Sequence, residues 1–257
     1  MAISFDETND YYSLADSASL TLPNSDWCIG TWTRVGDNTG SLFQYLLSNN
    51  GFGAANSLNF YLSESTEPTN PDKWTLRFQT LSIISSSAPG ADGKDRLIVL
   101  QRAGSTVEMF FCEAGATAAS QGTTTSPGAI DGGVWNIGRR VDGNADRYYG
   151  SIAGEFFKGD FSLTAEQVTA LGNGLTILDL GHTPDVYIPF ETAEATNKDL
   201  VGANDATRQD APTTVEHFPI GKSNVIPVNF VAAAPAGGGI PIKNQYNYTP
   251  MNTLLAR

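Results

Sequence analysis

Two cysteines and two histidines in 257 residues leave little material for a disulfide framework or a structural zinc centre. Cys28, Cys112, His182 and His217 are scattered, with no C-x-x-C pair and no two histidines three or four residues apart. The cysteines therefore read as buried thiols in strands. Charge is sparse as well, at 16% of residues, and basic residues are the scarcer sign, 15 Lys and Arg against 27 Asp and Glu. A net charge of −12 repels nucleic-acid phosphates and anionic lipid, which excludes a generic DNA, RNA or membrane-surface binder. Long hydrophobic runs are missing. The most weakly polar stretch, 224–242, is interrupted by Pro227, Asn229, Pro235, Gly237, Gly238, Gly239 and Pro241, whereas a membrane-spanning helix needs about 20 apolar residues in sequence. The first seven residues carry neither the basic nor the apolar region of a secretion signal, so the expectation is folding in a cytoplasm, where the sequon at Asn247 goes unread.

What is present is a chain able to bury a core, 40% hydrophobic and 10% aromatic, and rich in turn formers, with 26 Gly and 13 Pro. Short β-type runs are expected at 3–5, 11–14, 27–35, 42–47, 57–62, 74–80, 96–101, 107–112, 134–139 and 148–157. Clusters such as Asp37-Asn38-Thr39-Gly40 and Asp142-Gly143-Asn144 separate them and supply hairpin turns. About ten strands with almost no helix between them predict an all-β, two-sheet antiparallel sandwich rather than a βαβ sheet. One helix is expected at 163–172, where Thr164 and Gln167 form a capping box and Gly172 or Gly174 ends the turn. Further runs follow at 176–180 and 185–190, a polar segment at 191–214 and a last strand candidate at 215–220.

From Lys222 the character changes. The last 36 residues contain three basic residues and no acidic one, so the first 221 carry 12 basic against 27 acidic residues, a net −15 beside a +3 tail. This Pro/Gly-punctuated arm, with Val228, Phe230, Ile240, Ile242, Tyr246, Tyr248, Leu254 and Leu255, cannot make a core alone, yet it is too apolar for an ordinary solvated tail. The expected division is a sandwich at 1–221 and an extended arm at 222–257 that lies on an acidic surface, that of this domain or of a copy.

Three opening pieces, Ile3-Ser4-Phe5-Asp6 to Tyr12, Asp16-Ser17-Ala18-Ser19-Leu20 and Trp27-Cys28-Ile29-Gly30-Thr31-Trp32, resemble the start of the laminin-G-like or concanavalin A-like lectin and glucanase jelly rolls. The paired runs 96–102 and 106–111, Trp135-Asn136-Ile137-Gly138, Tyr149 to Phe157 and the helix from Leu163 are similar to later pieces of that family, in the same order over residues 3–171. The resemblance implies a jelly roll in which Phe5, Tyr11, Ile29, Trp32, Ile98, Trp135, Ile137, Ile152 and Phe156 fill the space between two sheets about 10 Å apart. Val186 to Glu191 and Asp199-Leu200-Val201-Gly202 look like a segment usually placed before such a domain, which leaves open whether 176–221 completes the same sandwich.

Enzymatic members of that family carry two carboxylates two or four residues apart on one strand. Here Glu155 stands alone, with Ala153 and Gly154 where a partner acid would be. The chain also lacks G-x-S-x-G, P-loop and G-x-G-x-x-G motifs, so no catalytic residue and no required cofactor is expected. Calcium is the ion the family implies, and Asp142, Asn144 and Asp146 offer oxygens at alternate positions, although the same residues also make a plain hairpin turn. Asp37, Asn38, Asp92 and Asp95 join such a rim site only if their loops converge. A glycan site needs an exposed aromatic ring with polar partners, for which Trp74, Tyr45, Tyr148 and Tyr149 remain once Trp27, Trp32 and Trp135 are assigned to the core. The reading as a whole is a non-enzymatic structural virion protein, a capsid decoration or a fibre or tail accessory. It is made in a host cytoplasm, and its arm holds copies of itself or other virion proteins. The alternatives are a carbohydrate-binding adhesin, with or without calcium, that attaches to surface glycans, and a divergent glycanase with Glu155 as its first candidate residue.

Overall fold

A computed structural model describes residues 2–215, apart from 7–9, 36–42, 51–56, 67–70, 79–80, 85–92, 127, 143–146, 191–192 and 211, and gives only the backbone at 81–84. Among these residues the chain order is β1 (Ala2–Asp6), β2 (Tyr11–Leu14), β3 (Trp27–Val35), β4 (Gln44–Asn49), β5 (Leu58–Leu62), β6 (Trp74–Phe78), β7 (Leu81–Ile84), β8 (Asp95–Ala103) and β9 (Thr106–Glu113). There follow β10 (Ala119–Thr125), β11 (Trp135–Ile137), β12 (Tyr149–Gly159), α1 (Ala165–Gly172), β13 (Val186–Phe190), β14 (Thr196–Asn197), β15 (Ala206–Gln209) and β16 (Thr213–Val215). One sheet has the order β10-β9-β8-β3-β12-β1-β16, with β13 also paired to β12, and the other β14-β15-β2-β11-β4-β5-β6-β7. Every strand pairing is antiparallel. The expected two-sheet sandwich is therefore present.

The first sheet is apolar on both faces. In β3, Trp27, Ile29 and Val35 join the cluster between the sheets, whereas Cys28 and Trp32 join a second cluster with Leu97, Val99, Cys112, Phe157, Val168 and Leu171. Strands buried on both sides read as unbroken hydrophobic runs, which is why β3 and β8 show no polar alternation. Cys28 and Cys112 are buried free thiols. Gly30 is needed in β3 because Phe157 lies across it; a Cβ there would sit 2.3 Å from the ring.

Helix α1 covers this outer face. Thr164 Oγ1 accepts from the Gln167 N–H at 3.2 Å while the Gln167 side chain accepts from the Thr164 N–H at 2.9 Å, so the expected capping box is formed. Of the residues expected between the sheets, Phe5, Ile29, Ile98, Trp135, Ile137, Ile152 and Phe156 are there. Two are not. Trp32 faces outward toward the helix side because strand alternation fixes Ile29 inward, and Tyr11 is half-buried on the opposite sheet, its ring 5.2 Å from the Arg139 guanidinium carbon.

Strand β10 lies in the polar run Ala119 to Thr125, where no strand was expected, and β7 follows β6 as a separate strand. Residues 176–180 form a turn whose Asp179 carboxylate accepts from the Thr176 N–H and hydroxyl at 2.9 and 2.8 Å. The segment after it completes the same sandwich as far as residue 215, since β13 and β16 extend the first sheet and β14 and β15 the second. Asp199 organises the connection by accepting from the backbone N–H groups of Tyr187, Val201 and Asn204. All described residues belong to the compact unit Met1–Asn224. The arm at 222–257, with Val228, Phe230, Ile240, Ile242, Tyr246, Tyr248 and Leu254, lies outside the described residues.

Candidate functional site

Of the places on the sandwich where polar side chains are buried, two bear on function. The first is the outer face of the second sheet. In β5, Leu58, Phe60 and Leu62 point into the core, so Asn59 and Tyr61 point out. Register then aligns a transverse polar row, Thr196–Thr207–Ser13–Asn136–Ser48–Asn59–Arg77, each residue opposite the next on the neighbouring strand. The middle of the row is buried, and Ser48 and Asn59 have no exposed surface; the ends open outward, with Ser13 and Arg77 half-buried and Thr207 exposed.

Ser48 Oγ accepts from the Val141 N–H at 2.9 Å. Among the described residues the Asn59 amide has no hydrogen-bond partner at either its oxygen or its nitrogen, and neither has the buried hydroxyl of Ser57. An orphaned buried amide costs about 1–3 kcal/mol. Beside the row, Tyr45 and Tyr61 stack with ring centroids 5.0 Å apart, and the Arg140 guanidinium carbon lies 5.8 Å from the Tyr45 ring. Amides and hydroxyls that both donate and accept, in a row whose ends open outward at Ser13, Arg77 and Thr207, match the polar needs of a neutral polyhydroxylated ligand.

The second place is a cleft on the outer face of the first sheet. Strand β12 carries two residues more than β3 between Ala153, opposite Trp32, and Phe156, opposite Thr31. Gly154 in this bulge has φ of 65°, a left-handed conformation that suits glycine. The bulge sets Glu155 opposite Pro189 of β13, facing the turn that follows α1. Its carboxylate accepts from the Ile177 N–H through both oxygens, at 3.1 and 3.2 Å. Burial pushes the Glu155 carboxyl up to about 7, against the opposing effect of hydrogen bonds from Ile177 and the Tyr187 hydroxyl. About 150 Å³ of space adjoins it, lined by Trp32, Gly154, Leu175, Thr176, Tyr187 and Pro189.

The expected site residues fare unevenly. Trp74 is 1% exposed and stacks on Phe60 in the core, 4.8 Å between centroids, so it cannot meet a sugar. Tyr148 is fully buried, its hydroxyl bonded to Thr33 Oγ1 and to the Arg34 carbonyl, and Tyr45 is fully buried too. Trp74 and Tyr148 are on the inward face, in the cluster between the sheets, where aromatic rings pack against one another. Tyr149, at 38%, does reach the surface. Asp142 is held by Arg140 at 2.6 Å, and Asp95 by Arg34 at 2.6 and 2.8 Å. Asn144 and Asp146, like Asp37, Asn38 and Asp92, lie outside the described residues. Among the described residues no group of three or more His, Cys, Asp or Glu side chains is placed to hold a metal ion. Ser57, Asn59 and Asn136 went unnoticed in the sequence. The alternation of 57–62 marks the face of two of them, but the row itself exists only through cross-strand register.

No family model matches the chain, and no curated protein does. Among solved structures it is similar to a candidate carbohydrate-binding protein from Bacteroides ovatus, at 14% identity and a TM-score of 0.60, covering 84% of this chain and 61% of that one. The chain thus spans less than two thirds of that protein's length. It is also similar to domains LG4-5 of the mouse laminin alpha1 chain, at 12% identity, 64% and 43% coverage and a TM-score of 0.44. A third likeness is to the enzymatically active domain of bacteriophage CBA120 tailspike protein 2, at 12% identity, 67% and 31% coverage and a TM-score of 0.40. The last two superpose too loosely to carry an argument. The likeness to the first of the three shows a shared fold alone, here the antiparallel two-sheet sandwich.

Proposed function

We propose that this sandwich binds carbohydrate through the outer face of its second sheet and catalyses no reaction. The observation that carries the reading is the transverse polar row, which holds next to its Arg77 end an Asn59 amide without a hydrogen-bond partner among the described residues. A buried amide without a partner is costly to the free protein, and a ligand hydroxyl admitted from the half-buried Arg77 end of the row recovers that cost on binding. The fold neighbour described as a candidate carbohydrate-binding protein supports the same class of ligand. The non-catalytic part of the reading is supported by the surroundings of Glu155. Positions two and four residues away on β12 are Ala153, Phe157, Ser151 and Gly159, so a two-carboxylate glycosidase mechanism has no second acid on that strand.

A glycan array with the full chain, followed by calorimetric titration of the best ligand, tests this. Asn59→Ala is expected to weaken binding about tenfold or more. Binding unchanged in Asn59→Ala, or no glycan bound at all, overturns the reading. Running the array with and without a chelator decides whether calcium takes part.

A second reading, favoured by the −15 body beside a +3 apolar arm, is a structural virion protein, a capsid decoration or a fibre or tail accessory. In that role residues 222–257 hold a neighbouring copy or the particle shell, and the sandwich faces outward to surface glycans. Deleting 222–257 is expected to abolish incorporation into particles while leaving the sandwich folded. Unchanged incorporation removes this reading without touching the first.

A further inference from the structure

The cleft around Glu155 lies on the first sheet, away from the polar row, and the glycan reading makes no use of it. Its walls are two aromatic side chains that alternation places on one face, Trp32 of β3 and Tyr187 of β13, both in the outer apolar cluster. Its acidic group is fixed rather than floppy. Both Glu155 oxygens accept from the Ile177 N–H, and the residue is 7% exposed. The rim is open: Gly174 is exposed, and Gly154, Leu175, Thr176 and Pro189 are half-buried. The charged side chain that acts on Glu155 is another acid, Asp179, which raises its proton affinity further. A carboxylate held by the Ile177 N–H and the Tyr187 side chain, in a space of about 150 Å³ whose lining includes Trp32 and Tyr187 and next to a second acid, is the arrangement that attracts an organic cation. The ring faces carry negative quadrupole charge, the carboxylate supplies a full one, and both act more strongly where water is partly excluded.

We propose that this cleft binds an alkylammonium group, with Glu155 as its counter-ion and Trp32 and Tyr187 as its walls. The ammonium, whether the quaternary head of a small molecule or the primary amine of a lysine side chain, occupies the space beside the Ile177-bound carboxylate. Its alkyl substituents contact the rings.

The test uses the full chain and four probes by ligand-observed NMR and calorimetry at pH 8. These are tetramethylammonium and its neutral isostere tert-butanol, and butylammonium with its neutral isostere butan-1-ol. At least one cation is expected to bind about tenfold or more tightly than its isostere, and the cation that shows the larger ratio tells a quaternary from a primary source. Glu155→Gln keeps an acceptor for the Ile177 N–H but removes the charge, and should bring the cation down to the level of the alcohol. Trp32→Leu is expected to weaken both cations while Glu155 still titrates. The proposal is overturned if neither cation outbinds its isostere, or if Glu155→Gln, folded by circular dichroism, binds the cation as tightly as the parent. A positive result with glycan binding absent, or the reverse, separates this proposal from the glycan reading.

Discussion

The backbone N–H of Ile177 donates to both carboxylate oxygens of Glu155, at 3.1 and 3.2 Å, so the turn after the helix is tied to the bulge in β12 by a group that titrates. A neutral or ionised carboxyl accepts that N–H equally well in geometry. The difference lies in the cost of holding charge in a buried place.

That cost gives the first prediction. Burial raises the folded-state pKa of Glu155 from 4.5 to about 7, so between these values the folded chain keeps a proton that the unfolded chain has lost. The stability this confers is fully present below 4.5 and is lost as pH rises through about 7, a total loss of about 3 kcal/mol once the pH is above both values. Glu155→Gln carries no such dependence. Urea unfolding of the two proteins is expected to give similar stabilities at about pH 4.5 and a variant more stable by several tenths to about 3 kcal/mol at pH 8. Parallel pH profiles for the two proteins would rule it out.

Lys158 supports a prediction of asymmetry. Its side chain is 1% exposed and its ammonium bonds Asp160 at 2.6 Å and Asp185 at 2.8 Å, while those two acids remain 51% and 34% exposed. Replacing the lysine by methionine keeps most of the packing volume and leaves two acids that water can solvate, so the expected loss is about 1 kcal/mol or less. The double change Asp160→Ala with Asp185→Ala strands a buried cation, with an expected loss of about 3–5 kcal/mol. Equal losses in the two variants, measured by denaturant unfolding, would show that the ion pair is not what sets the cost.

How much of this was readable beforehand differs between elements. The strands and the helix were legible because each carries local signals: β-branched and aromatic runs between turn residues, and Thr164 three residues before Gln167. Strand β10 was not, because its Ala-Ser-Gln-Gly-Thr-Thr-Thr composition follows from its place at the edge of a sheet. Trp32 was placed on the wrong face since an unbroken apolar run gives no phase. Glu155 could be singled out as an acid after a glycine in an apolar strand. Its neighbours Trp32, Ile177 and Tyr187 come from 22 to 123 residues away in sequence, and only the fold brings them to it.

Gly172 at the end of α1 offers a packing test. A Cβ there would lie 2.1 Å from Cys112 Sγ and 2.9 Å from its Cβ, so the helix approaches β9 as closely as a glycine permits. Gly172→Ala is expected to destabilise by about 1–3 kcal/mol through overpacking. Adding Cys112→Ala removes the nearer clash and should restore part of the loss, a coupling that a double-mutant cycle measures directly. Strict additivity of the two changes would mean that the helix simply shifts away.

The polar row yields a prediction that sets stability against binding. Asn59 is fully buried in the outer face of the second sheet, between Ser48 and Arg77, and among the described residues both its amide atoms are unpartnered. Leucine has the same branching and the same number of side-chain heavy atoms, with no polar group to desolvate. If the amide is retained for a ligand, Asn59→Leu should raise the stability of the free protein by about 1 kcal/mol, or a few degrees in Tm for a body of this size. The same change should remove glycan affinity, the trade-off expected when a residue serves a ligand at the fold's expense. A structural amide gives the opposite sign, because its loss would disturb the strands on either side. Thermal unfolding of Asn59→Leu therefore distinguishes the two roles before any ligand is known: a lower Tm than the parent assigns Asn59 to the architecture of the sheet, and the polar row with it.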